Sequence, residues 1–347
     1  NICTAFSGAS QRLLPERLFP GRSFPERLLP VTSIGPAKFS APASPSKVVI
    51  ITSVKLQCGA EVEKTITCGI VLALTLVDSG ETLWDYDQMP PDNKSSPART
   101  APNLWRDRYV VIAGPTASGK SALALALAHR ADGVIINADS MQLYDDLRQI
   151  TARPTAGDEA AAPHRLYGVI DGGERASVAT WMELGAEAMA EARSLGKLPI
   201  IVGGTGMYIN AGLHGLAPVP VVPPEIHALA LAKLGEIGGA AFRQALAKRD
   251  PVIAARLADG DSQRLIRAMG VVEATGRPLS DWQNEPHRGQ FSGAPLCICV
   301  MPERGALYGR IDARFDRMLE AGAIDEVKRL YARHLDPGLP VMKELGV

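Results

Sequence analysis

Residues 108–131 read RYVVIAGPTASGKSALALALAHRA. The opening RYVVIAG (108–114) is a run of β-branched and aromatic residues closed by glycine, and SALALALAHRA (121–131) consists of strong helix formers. A strand, a loop and a helix therefore follow one another. The loop GPTASGKS, which comprises Gly114, Pro115, Thr116, Ala117, Ser118, Gly119, Lys120 and Ser121, has the P-loop pattern in the context that the pattern requires. Its glycines let backbone N–H groups turn inward around phosphate oxygens, and the helix N-terminus behind adds a favourable dipole. Lys120 supplies a mobile positive charge, and Ser121 a hydroxyl suited to Mg²⁺. The loop defines a diphosphate site, not a reaction.

Outward from this loop the same alternation repeats. GVIINADS (133–140) and KLPIIVGGTGMY (197–208) are apolar runs closed by polar residues. Between them SVATWMELGAEAMAEARSLG (177–196) reads as a helix, with Ser177 as N-cap and Gly196 as C-cap. Strands alternating with helices predict an α/β fold, a parallel sheet flanked by helices. Ligands bind at the carboxyl ends of such strands, so the P-loop, Asp139 and Thr205 should converge. On spacing alone Asp139 is divided between this role and helix capping or magnesium binding. Thr205 could equally be a helix cap.

The chain changes texture twice. Residues 1–105 hold RLLPERLFPGRSFPERLLP, KFSAPASPSK and QMPPDNKSSPARTAP, which are rich in Pro and Ser and resist packing. We expect a disordered leader there, or a misassigned start, since the chain begins with Asn. Residues 106–222 form the P-loop core. Residues 223–289 lack strand runs and predict a helical insertion, through PEIHALALAKLGEI, AAFRQALAKRD and DSQRLIRAMGVVEATG. Residues 290–347 return to the core with the strand APLCICVM and a long helical stretch that Gly309 and Gly322 weaken.

Bulk composition narrows the class. Lys plus Arg equals Asp plus Glu at 37 each, so any nucleic-acid contact must come from a local basic face. Five cysteines are too few and too scattered for a disulfide scaffold in a chain of 347 residues, and Cys297 with Cys299 reads as strand packing. The apolar run ITCGIVLALTLV (66–77) falls short of the roughly 20 residues that a spanning helix needs. We expect no membrane partner, a cytoplasmic location and a monomer.

Taken in order, GPTASGKS, INADSMQLY with TARPT, PHRLYGVID, LPIIVGGTGMY, DSQRLIRA and LYGRIDARFDRMLEAG make residues 109–347 resemble the tRNA dimethylallyltransferase family. The resemblance implies a P-loop NTPase-like sheet with a helical insertion. It also implies transfer of a dimethylallyl group from dimethylallyl diphosphate to the exocyclic amine of an adenosine beside the tRNA anticodon. The P-loop would then hold the prenyl donor, with Mg²⁺ as cofactor and the tRNA anticodon stem-loop as partner. Asp139 matches the general base, Thr116 a position near the reacting centre, and Arg314 a diphosphate-contacting arginine. Asp139, Ser140, Met141 and Gln142 match a tRNA-contacting segment, as do Gln263, Arg264, Leu265, Ile266 and Arg267. Thr205 matches a further substrate contact.

Chemistry is consistent with those roles. An aryl amine turns cationic as it attacks an allylic carbon, and a positioned carboxylate that takes the proton contributes about 10²- to 10⁴-fold. Departures are few. His227 occupies a tRNA-contacting position where many relatives carry arginine, and Arg153 replaces a usual lysine. Relatives continue past ELGV with a basic helical segment, so we expect a weakened tRNA grip here. Three rival readings are an adenylate isopentenyltransferase, a small-molecule kinase and a non-catalytic RNA or diphosphate binder. Ser140 after Asp139, where the adenylate enzymes usually carry lysine, favours the tRNA type.

Overall fold

The computed structural model describes residues 47–51, 54–58, 68–72, 74–76, 82–84 and 107–344. The early stretches are strands: β1 (Lys47–Ile51), β2 (Val54–Cys58), β3 (Cys68–Leu72), β4 (Leu74–Leu76) and β5 (Thr82–Trp84). They are the only described residues in the segment expected to be a disordered leader. Val, Ile, Leu and Thr give these short runs strand propensity, and the Pro-rich stretches of this part of the chain lie before Lys47 and after Trp84, outside the described residues.

Four strands anticipated from the apolar runs are present: β6 (Arg108–Ala113), β7 (Gly133–Asn137), β9 (Leu198–Gly203) and β10 (Ala294–Val300). β8 (His164–Arg165), in PHRLYGVID, is too short to show a period. These five pair in parallel in the order β10-β6-β9-β7-β8. On the outer side β1 continues in parallel beside β10, and β4 and β5 follow antiparallel. β2 and β3 form a separate antiparallel pair.

Side-chain alternation explains why helices cover both faces. Val110, Ile112, Ile135, Ile200 and Val202 form one buried cluster with Leu123 and Ala124 of α1 (Lys120–Ala131). Val111, Val134, Ile136 and Ile201 point the opposite way and are buried too. α2 (Ala156–Ala161) opens on a reciprocal cap between Thr155 and Asp158. α3 (Val178–Ser194) starts at Ser177, whose hydroxyl accepts from the Thr180 N–H at 3.1 Å. Its C-cap is Leu195, with Gly196 one residue beyond in the left-handed region (φ 71°). α4 (Gly206–His214) follows β9 directly.

The chain divides into two compact units, one running to Asn210 and resuming at Ser292, the other Ala211–Phe291. The second therefore begins inside α4, ahead of the boundary expected at 223. It contains α5 (Pro224–Ala247), broken at Gly238, then α6 (Pro251–Arg256), α7 (Ser262–Thr275) and α8 (Leu279–Gln283). Phe242, Leu246, Leu265, Ile266 and Met269 form its core. After β10 the first unit ends with α9 (Arg304–Glu320), α10 (Ala323–Tyr331) and a 3₁₀ turn at Pro340–Lys343. Gly309 lies within α9 without breaking it, whereas Gly322 (φ 90°) separates α9 from α10. Cys297 is buried in β10 and burial pushes its thiol up to about 11, consistent with packing rather than redox use. No helix among the described residues is long and apolar enough to cross a membrane.

Candidate active site

β6 delivers the chain into Gly114–Gly119, and α1 begins at Lys120. Gly119 (φ 97°) makes the left-handed turn into the helix, which is the geometry that glycine permits. Ala117 is also left-handed (φ 60°), a conformation costing about 1–3 kcal/mol for a residue with a Cβ. The Lys120 ammonium folds back to donate to the Pro115 carbonyl at 3.2 Å. Thr116 and Ser121 are exposed, whereas Ser118 is buried and its hydroxyl has no protein partner.

Asp139 follows β7 and is held by its neighbours. Asn137, fully buried at the strand's end, accepts from the Asp139 N–H at 2.8 Å and donates to the carbonyls of Asp139 and Leu166 at 2.9 Å each. Trp181 in turn donates its indole N–H to the Asn137 carbonyl at 2.7 Å. One Asp139 carboxylate oxygen accepts from the Met141 N–H at 3.1 Å. Asn137 and Trp181, which hold the Asp139 backbone in place, are residues that sequence reasoning missed. An asparagine at a strand's end carries no signal of its own beside the Asp139 that follows it, and a tryptophan on an apolar helix face reads as core.

Thr205 follows β9, and its hydroxyl accepts from the Ser140 N–H at 2.9 Å. Its carbonyl receives the Tyr208 and Ile209 N–H groups at the start of α4, so it also caps that helix. The close approach of β9 to this loop needs Gly203, since a Cβ there would collide with the Ala138 carbonyl. A Cβ built on Gly204 would lie 3.6 Å from the Gly114 carbonyl and 3.9 Å from an Asp139 carboxylate oxygen. The P-loop, Asp139 and Thr205 thus meet at the carboxyl ends of adjacent strands.

From α9 Arg314 adds a second cation. Its guanidinium lies 3.5 Å from the Thr151 carbonyl, while its Nε is buried without a partner. Arg310 and Arg317, one turn either way, are exposed. Burial holds Lys120 down at about 8, with Asp139 raising it and Arg314 lowering it. Arg314 is lowered by burial as well, with Asp139 opposing. Lys120, Arg314 and Asp139 therefore sense one another's charge.

The remaining expected residues are distributed less simply. Gln142 donates its amide to the Thr151 and Ala152 carbonyls at 2.8 and 3.1 Å, which commits its nitrogen to the loop. Arg153 reaches the carbonyls of Tyr144, Asp145 and Tyr167 and braces the same segment. In the second unit Gln263, Arg264 and Arg267 are exposed on α7. Leu265 and Ile266, however, are packed in that unit's core, because they occupy the apolar face of the same helix, so their side chains present no surface to an RNA. His227 is exposed on the first turn of α5.

A parallel sheet whose first core strand runs through GPTASGKS into a helix, with an acidic residue and a threonine closing the next strand ends, defines a P-loop protein. The IPP transferase family matches residues 142–347, and the isopentenyl transferase family matches residues 108–173. A tRNA dimethylallyltransferase of Rhodopseudomonas palustris (strain BisB18) is 53% identical over 243 residues, which cover 70% of this chain and 77% of that protein. One from Rhodospirillum rubrum is also 53% identical, over 69% of this chain and 73% of that protein. Crystallographic snapshots of a eukaryotic dimethylallyltransferase acting on tRNA superpose with TM-score 0.58 at 29% identity, over 67% of this chain and 58% of that one. The chain belongs to the IPP transferase family.

Proposed function

We propose that the protein transfers the dimethylallyl group of dimethylallyl diphosphate to the exocyclic amine of an adenosine adjacent to the tRNA anticodon. The observation that carries this reading is the convergence of the P-loop, with Lys120 folded onto the Pro115 carbonyl, and Asp139 at the ends of neighbouring strands, with the partly buried Arg314 near enough to lower Lys120. A diphosphate would satisfy Lys120, the loop amides and the Arg314 Nε together.

Chemically, the adenine nitrogen attacks the allylic carbon of the donor. The C–N bond forms as the C–O bond to diphosphate breaks, and the leaving group takes the bonding electron pair. Asp139 accepts the proton that the amine must lose. Its orientation is fixed in advance by Asn137 and by the Met141 N–H. Lys120, the loop N–H groups and Arg314 meet the charge that builds on the diphosphate. Thr116, exposed in the loop, would meet the donor near the reacting carbon.

The donor set also fits Mg²⁺. Ser121, on the first turn of α1, offers one hydroxyl, and Mg²⁺ is ordinarily held by one or two protein oxygens plus substrate phosphates and water. When bound it would neutralise developing charge on the diphosphate. The acidic group Asp145, Asp146 and Asp171 is a different place, where Arg333 pairs with Asp146 and Asp171 at 2.5 and 2.7 Å.

On the acceptor side, Ser140, Met141, Gln142 and Thr205 line the loop after β7, while His227, Gln263, Arg264 and Arg267 offer exposed polar groups on the helical unit. Drawing a base out of its stack costs a few kcal/mol, least in a loop such as the anticodon. The chemistry uses side chains of one chain, so a monomer suffices, and a cytoplasmic location goes with tRNA as acceptor. Calorimetric titration with dimethylallyl diphosphate tests the donor site. Lys120→Ala and Arg314→Ala should each weaken binding by about 10- to 100-fold, the worth of a charge-assisted contact. Unchanged binding in both would sink the arrangement.

A further inference from the structure

Glu326 on α10 is 4% exposed and far in sequence from the P-loop, yet its carboxylate is occupied entirely by the backbone of the loop after β7. The Arg148 N–H donates to Oε1 at 2.7 Å, the Gln149 N–H to both oxygens at 2.9 Å, and the Ile150 N–H to Oε2 at 3.0 Å. Three successive amides converge on one anion. Such a nest forms only when the backbone curls, and charge-assisted bonds hold the curl.

The next residue gives that curl a consequence. Thr151 is buried, its hydroxyl donates to the Leu147 carbonyl at 2.5 Å, and its own carbonyl accepts from both the Gln142 amide (2.8 Å) and the Arg314 guanidinium (3.5 Å). One carbonyl therefore orients a group assigned to the acceptor and a group assigned to the diphosphate. We propose that Glu326 is a positioning residue for prenyl transfer: by gathering the amides of Arg148–Ile150 it aims the Thr151 carbonyl, which aligns Gln142 and Arg314. This inference rests on the site reading above.

Steady-state kinetics for donor and tRNA, with thermal melts and amide hydrogen exchange of Arg148–Ile150, test it on the full chain. Glu326→Gln keeps the shape of the side chain but replaces one acceptor oxygen with a donor that faces N–H groups. Expected are faster exchange at those amides and a kcat lower by about 10- to 100-fold, the scale of a misplacement of about 1 Å. In an Arg314→Lys, Gln142→Ala background the same change should cost less than about threefold, since the groups it positions are already gone. Additive effects in the two backgrounds, or an unchanged kcat per folded enzyme, would overturn the proposal and leave Glu326 a stability tie. Arg314→Lys and Gln142→Ala alone read the site separately. If those are silent, the site reading falls and takes this route with it; if they are not and Glu326→Gln is silent, only the positioning role falls. Should Glu326→Gln yield no folded protein, Glu326→Asp, which retracts both oxygens by one methylene, is judged by the same criteria.

Discussion

The Asn137 side chain grips Asp139 from both ends of its backbone, accepting from its N–H at 2.8 Å and donating to its carbonyl at 2.9 Å. A carboxylate placed in this way does not have to be ordered when substrate arrives, which is the purpose of pre-organisation. Asn137→Ala leaves the Asp139 N–H and the Leu166 carbonyl without this partner in a buried place. We expect a loss of about 2–4 kcal/mol in denaturant unfolding, together with a fall in kcat per folded molecule. A kcat equal to wild type would show that Asp139 is held well enough by Met141 alone.

Asp139→Asn keeps an oxygen for the Met141 N–H and removes only the proton acceptor. Transfer should drop by about 10²-fold or more while donor affinity changes little. Rates within about threefold of wild type in single-turnover assays would be too small a loss for a general base and would take Asp139 out of that role.

Lys120 gives a pH signature. Its folded value, held near 8 by burial, lies below its ordinary 10.5, so the unfolded chain binds more protons between those values. Stability of the unliganded protein should therefore rise with pH across that window, and the cost of the buried charge is fully present below 8. Donor affinity should run the other way and weaken as pH climbs past 8, because the neutral amine no longer attracts diphosphate. Lys120→Arg should flatten both profiles. Parallel calorimetric titrations and melts from pH 7 to 10 check the two opposite slopes.

On the helical unit Arg264 pairs with Asp261 at 3.5 Å and Arg267 reaches the Pro220 carbonyl at 3.5 Å, but both remain exposed. Binding of tRNA should be strongly salt-dependent despite the neutral chain, and reversing both charges should reduce the slope by roughly one counterion per lost phosphate contact. An unaltered slope after double reversal would move the basic contact elsewhere.

Much of this was legible in the sequence, for reasons that can be stated residue by residue. GPTASGKS is decided by local backbone needs, and the apolar runs of β6, β7 and β9 are buried on both faces of the sheet, so each reads as a continuous block. Spacing alone does not separate Arg314 from Arg310 and Arg317, or Gln263 from Leu265; the family resemblance singled out Arg314, and the packed helix faces separate the rest. Periodicity says which residues share a face and not which partner that face meets. Trp181 and Glu326 act through contacts that span long stretches of chain, and no spacing rule anticipates a carboxylate closing on the amides of Arg148–Ile150. Asn137 grips a residue only two positions on, but its burial under Trp181 is what holds it there. The strands between Lys47 and Trp84 were obscured by the proline-rich composition around them.

The central claim is the pairing of this donor with this acceptor. Its most direct test is a single incubation of the protein with dimethylallyl diphosphate labelled in the prenyl group, offered tRNA, AMP and ATP in separate reactions and analysed for labelled nucleoside. The account predicts label on an adenosine of the tRNA anticodon loop, lost in Asp139→Asn, and none on either free nucleotide. Label on AMP or ATP with unmodified tRNA would contradict it, as would donor binding with transfer to no acceptor.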